Sequence, residues 1–152
     1  MIVGSIKEDL LIEKRVSITP ETAKNIINLG INVCIENDYA THLGILDKEY
    51  ENVGVKIKKS FKEVFTECNL ITKVNCPSNE EISILKNNSI LIGMMNPSKN
   101  QERLKNILKK NINIFSLELL PRISRAQSMD VLSSQSNLAG YRSVIDSIYE
   151  FE

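Results

Sequence analysis

Short apolar runs alternate with segments of helical period along almost the whole chain, which is the pattern of a sheet whose strands are joined by crossover helices. "MIVGSI" opens as a strand. "TPETAKNIINLG" follows with Thr19 as N-cap, Pro20 at the first helical position, Ala23, Ile26 and Ile27 on one face, and Gly30 as the stop. "INVCIE" is a second strand, and Asp47 and Ser60 are expected to cap two short helices in "DKEYENVG" and "SFKEVF". "NLITKV" and "SILIGMM" predict two more strands, separated by "SNEEISILK", where Ser78 and Glu81 stand at capping-box spacing. "KNQERLKNILKK" places Leu104, Ile107 and Leu108 at helical spacing, and "INIFSLELL" returns to the sheet. The fold predicted is α/β in three layers: a mostly parallel sheet with crossover helices on both faces, ending in a long helix.

At 152 residues the chain is about one domain, long enough to remove roughly two thirds of its surface from water. Its 19 basic and 19 acidic side chains cancel, which leaves no electrostatic reason to expect nucleic acid or anionic lipid as a partner. Cys34, Cys68 and Cys76 lack metal-ligand spacing and are expected to be reduced, partly buried thiols of a cytosolic protein. No basic leader precedes an apolar segment, and no run approaches the ~20 apolar residues that span a bilayer, so the chain is expected to be soluble. The six glycines are isolated, which excludes the closely spaced turn that brings backbone against a pyrophosphate; a nucleophile elbow and a Walker loop are absent too. The single histidine, His42 in "YATHLGILD", has no metal-binding neighbour in sequence and is expected to be a loop residue.

Parallel sheets bind ligands in the loops beyond the carboxyl ends of their strands, here the loops after Ile6, Val74, Met95 and Leu120. They contain Arg15, Lys73, "NPSK", and the polar stretch "PRISRAQSMDVLSSQSNLAGYR". In that stretch the residues themselves allow a plain role, with Asp130 pairing Arg122 or Arg125 while Ser133, Ser134 and Ser136 cap the next helix. The final segment "SQSNLAGYRSVIDSIYEFE" is a predicted helix with Leu138, Tyr141, Ile145 and Ile148 along one stripe. No stop signal follows it, so it is expected to continue into further chain.

Three stretches, "EKRVSITPETAKNIINLG", "ITKVNCP" and "PRISRAQSMDVLSSQSNLAGYR", resemble the N-terminal domain shared by alanine dehydrogenase and nicotinamide nucleotide transhydrogenase. The last is similar to the alpha-subunit branch of the proton-translocating transhydrogenases. The resemblance implies a domain over 1–135 and, over 136–152, the start of a helix that crosses into a missing Rossmann lobe. It implies NAD(H) as cofactor, with NADP(H) on a partner domain, and hydride transfer between them. It carries Arg122, Ser124, Arg125, Gln127, Asp130 and Ser133 over to the loop that contacts the nicotinamide and its ribose. The implied partners are the Rossmann NAD-binding lobe, NADP-binding and membrane subunits, and a second copy in a homodimer. The implied location is cytoplasmic, at the inner face of the plasma membrane through those subunits. The isolated chain is expected to be inactive. For the alanine dehydrogenase branch, Arg15 and Lys73 match the carboxylate-binding pair, but "LIGMMNPSK" has Met95 and Asn96 where that branch has a histidine; the two cations could instead pair with Glu13 or Glu118. A third reading is a non-catalytic fragment whose exposed last helix docks on a partner.

Overall fold

The computed structural model describes residues 1–151. Its element order is β1 (Ile2–Ser5), α1 (Pro20–Asn28), β2 (Asn32–Glu36), α2 (Asp47–Asn52), β3 (Lys56–Lys58), α3 (Phe61–Glu67), β4 (Leu70–Asn75), α4 (Asn79–Ile84), β5 (Ile90–Met94), α5 (Gln101–Leu108), β6 (Asn113–Ser116) and α6 (Val131–Glu150). The strands form one sheet in the order β3-β2-β1-β4-β5-β6. The β1–β2, β1–β4, β2–β3 and β4–β5 pairs are all parallel, so chain order reverses between β1 and β4.

Alternation along each strand feeds two separate apolar layers. Val33 and Ile35 face α1 and α2, joining Val3, Ile18, Ala23, Tyr39, Tyr50 and Val55. Cys34 points the other way, into a layer with Val64, Phe65 and Cys68 around α3, Ile82 of α4 and Ile107 of α5. Inside the first layer the Tyr50 hydroxyl donates to the Ile18 carbonyl at 2.9 Å, and the Tyr39 hydroxyl accepts from the Ser17 amide at 3.0 Å. These bonds satisfy polar groups that burial would otherwise leave without water.

Helix punctuation is mostly as the residues predict. Thr19 Oγ1 accepts from the Thr22 amide and Pro20 opens α1. Ser78 and Glu81 close a reciprocal capping box at α4. Asp47 is not a cap: Leu46 holds that position, Glu49 accepts from its amide, and Asp47 sits in the first turn accepting from the Asp38 amide. Ser60 stands at the start of α3 without a side-chain cap bond. Strand β6 stops at Ser116, and Leu117–Leu119 form a 3-10 turn in place of more strand. The short strand β3, whose residues are Lys-Ile-Lys, gives no sequence signal because it is an edge of three residues.

A bulge distorts the β4–β5 pairing: Thr72 pairs with Ile92 and Asn75 with Met94, so Lys73 and Val74 together oppose Gly93. A Cβ on Gly93 would lie 2.2 Å from the Lys73 carbonyl oxygen. Gly93→Ala is therefore expected to cost about 2 kcal/mol by forcing backbone apart, measured by denaturant unfolding. An unchanged midpoint would mean that the bulge is loose.

The chain divides into two compact units, Met1–Phe115 and a second beginning at Ser116. The second contains a 3-10 segment at Ser124–Met129 and α6, which begins at Val131, ahead of Ser134 where the predicted helical segment opens. Asp130 is the reason, because its carboxylate accepts from the amides of Leu132 and Ser133, both at 3.0 Å. None of the residues of α6 is buried, and among the described residues no helix is long and apolar enough to cross a membrane.

Candidate functional site

The first unit has a cleft of about 570 Å³ where the strand order reverses, walled by residues just beyond the carboxyl ends of β1, β2, β4 and β5. Lys73 is its centre. The bulge of β4 turns its side chain into a nearly closed position, 5% exposed, where Nζ lies 2.9 and 3.1 Å from the two Glu81 carboxylate oxygens and 3.7 Å from Glu8 Oε2. Each carboxylate is held by backbone as well: Glu8 Oε1 accepts from the Val74 amide at 2.7 Å, and Glu81 Oε2 from the Ser78 amide at 2.7 Å. Burial pushes the Glu8 carboxyl above its ordinary pKa, although Lys73 and the Val74 and Asn75 amides pull the other way. One lysine thus serves two carboxylates.

Arg15 and Lys73 are both engaged by carboxylates of this chain. Arg15 lies in the loop before α1 and grips Glu13, with Nη2 2.7 Å from Oε2 and Nε 2.8 Å from Oε1. This is the Glu13 pairing that the residues allowed; for Lys73 the partners are Glu81 and Glu8 instead of Glu118. Asn96 reaches the cleft wall with φ at 46°, a left-handed backbone that asparagine tolerates, while Met95 is fully buried. Neither side chain titrates near neutral pH. His42 lies on an exposed turn, its Nε2 2.7 Å from the Lys14 carbonyl.

The sequence reading missed Glu8 as a site residue and treated Glu81 only as a cap. The available signal was position: Glu8 lies in the loop after β1, three residues past Ser5, and the capping box sets Glu81 at the start of the helix after β4, beside the same reversal point.

The second unit has its own hollow of about 300 Å³, lined by Pro121, Arg122, Ile123, Ser124, Ala126, Gln127, Asp130 and Ser133. Five of the six residues singled out for the nicotinamide loop meet there; Arg125 belongs to the same 3-10 segment but does not line the hollow. Asp130 is the organiser. Besides capping α6, it accepts from the Ser133 hydroxyl at 2.6 Å, and these bonds, helped by the nearby Arg122 guanidinium, hold its carboxyl below the ordinary aspartate value. The Ser133 proton is committed to Asp130, so its oxygen is left to accept, while Arg122 offers donors and Gln127 offers both. This set fits an amide that needs a donor on one edge and an acceptor on the other.

The family described as alanine dehydrogenase/PNT, N-terminal domain, matches residues 4–139. The chain belongs to this family. Within it, the chain is 38% identical over 151 residues to the NAD(P) transhydrogenase subunit alpha of Haemophilus influenzae, covering 99% of this chain and 29% of that protein. It is 31% identical over 144 residues to the alanine dehydrogenase of Methanococcus maripaludis, covering 95% of this chain and 38% of that one. The crystal structure of the transhydrogenase from Sinorhizobium meliloti matches 100% of this chain with a TM-score of 0.92 at 39% identity, using 45% of its own length. The chain therefore spans less than half the length of these family members.

Proposed function

We propose that this chain is the first lobe of the NAD(H)-binding unit of a proton-translocating transhydrogenase and that its polar hollow positions the nicotinamide end of the dinucleotide. The observation that carries this reading is the convergence of Arg122, Ser124, Gln127, Asp130 and Ser133 on one hollow, with Asp130 fixing both the start of α6 and the Ser133 hydroxyl. Arg125 belongs to the same 3-10 segment without lining the hollow. The residues fit a carboxamide and a ribose hydroxyl in donor and acceptor type.

A dinucleotide held here would supply the hydride for NADP⁺ on a partner domain. Such a transfer protonates neither ring, so this chain needs no general acid or base. Arg122 and Gln127 orient the ring, and Asp130 and Ser133 keep the hollow in one shape before the ligand arrives. Orientation of two reactants can contribute up to roughly 7–11 kcal/mol toward the barrier. A Rossmann lobe supplies the diphosphate and adenosine contacts, and NADP-binding and membrane subunits complete the assembly at the inner face of the plasma membrane. Leu138, Tyr141, Ile145 and Ile148, all exposed along α6, are the surface that the Rossmann lobe or a second copy would cover. The isolated chain binds NADH weakly and is inactive.

The cleft of the first unit argues against the alanine dehydrogenase reading. A substrate carboxylate would have to displace Glu8 or Glu81 from Lys73, and Met95 and Asn96 provide no proton carrier. The test is an assay of the native complex isolated from its source cells, comparing hydride transfer from NADH to an oxidised NADP analogue with alanine-dependent reduction of NAD⁺. Transfer without alanine turnover supports the proposal, and alanine turnover alone would reverse it.

A further inference from the structure

Cys34 and Cys68 come from different elements and neither has a place in the sites described above. Cys34 is the third residue of β2, and Cys68 immediately follows α3; both are fully buried and free. Gly4 shows how they meet. It pairs in register with Cys34 across adjacent parallel strands, so the two positions project to the same face about 4.8 Å apart. A Cβ on Gly4 would lie 2.6 Å from Cys68 Sγ, which places the Cys68 sulfur in the space that glycine leaves open beside Cys34. The two thiols are near enough there to shift each other's protonation.

From this geometry we propose that Cys34 and Cys68 are a redox-active dithiol, closed by peroxide to a disulfide that ties β2 to the end of α3. The neighbouring Cys68 thiol holds the Cys34 thiol below its ordinary value, while Cys34 and burial hold Cys68 above, so Cys34 is the attacking sulfur. Its thiolate attacks one oxygen of hydrogen peroxide, the O–O bond breaks, and hydroxide leaves and takes a proton to become water. The sulfenic acid on Cys34 is then attacked by the Cys68 sulfur; the S–S bond forms, the S–O bond breaks, and the Cys68 proton leaves with a second water. The dithiol is oxidised by two electrons and the peroxide reduced by two.

Access runs through the sheet edge. The pair lies one strand in from β3, whose three residues include Lys56 in register with Cys34 and Lys58 ion-paired to Glu67 of α3. That ion pair ties the edge strand to α3, the helix that Cys68 follows, and loosening it is the proposed route for a small oxidant. Cys76 follows β4, shares the same apolar layer and lines the cleft of the first unit, so it is the competing thiol that the test must exclude.

The test treats the purified protein with hydrogen peroxide and maps its peptides without reduction. The expected product is two hydrogens lighter, carries a Cys34–Cys68 link, and returns to the starting mass with dithiothreitol. The link should be lost in Cys34→Ser and Cys68→Ser, persist in Cys76→Ser, and form faster in Lys58→Ala. If either serine variant fails to fold, the matching alanine variant takes its place. A link through Cys76, oxygen addition without a link, or no reaction even in Lys58→Ala would each overturn the proposal.

Discussion

Lys73→Met is expected to lower the unfolding free energy of this protein by about 3 kcal/mol, toward the lower end of the cost of breaking a buried ion pair. The methylene stem is replaced nearly atom for atom, so the loss is electrostatic. Glu8, whose side chain is 5% exposed, would keep its backbone bond to Val74 but lose the ammonium 3.7 Å away, while Glu81 at 16% exposure recovers part of its solvation from water. The pH dependence has a definite sign. Burial already raises the Glu8 pKa above 4.5, so the folded state holds that proton more tightly than the unfolded chain does. The stability from protonating Glu8 is complete below 4.5 and is lost as pH rises through the folded value. Without Lys73 the folded value moves further up, so the defect should shrink as pH is lowered from neutral toward 4.5, and adding Glu8→Gln should recover stability at neutral pH. Denaturant titrations at several pH values read all of this. A variant as stable as the parent at neutral pH would show that Lys73 is not needed to hold the two carboxylates.

On the proposed function, Arg122→Ala introduced into the complete protein is expected to slow hydride transfer from NADH by about a hundredfold, the scale of an ångström-sized misplacement of a reacting ring. On the proposed function the guanidinium would have two tasks in the hollow: offering a rigid fork of donors to the ligand, and steadying Asp130 with its charge. Arg122→Lys keeps the charge without the fork and should recover Asp130 but only some of the rate. Turnover with NADH close to the parent's in Arg122→Ala would remove this residue from the nicotinamide site and with it the main support for the proposed role of the hollow.

Fold and site differ in how far the residues alone reveal them. The alternation of apolar runs and capped helices places five of the six strands, since Thr19, Pro20 and the Ser78–Glu81 box are local signals that the structure uses as written. Strand β3 escapes because an edge of Lys-Ile-Lys buries too little to show a period. Asp47 misleads because Glu49 and the Leu46 backbone satisfy the first turn before it can. The polar loop is legible as a cluster, yet its internal logic is not: that Asp130 starts α6 and takes the Ser133 proton depends on a 3-10 segment no periodicity announces. The partners of Lys73 were hidden for a different reason, because Glu8 is brought to it across a sequence gap by the β1–β4 pairing and the bulge.

The carboxylate at the head of α6 also sets a polarity for whatever enters the hollow. Helix N-termini ordinarily attract phosphate, through free amides and a partial positive charge. Here Asp130 has already claimed two of those amides and brought its own negative charge to the spot. A diphosphate approaching this end of the helix meets repulsion where it would elsewhere find a cradle. On the proposed function, a dinucleotide would enter with its uncharged amide leading and its anionic middle trailing outward, so a single helix cap would set the sense of the bound ligand.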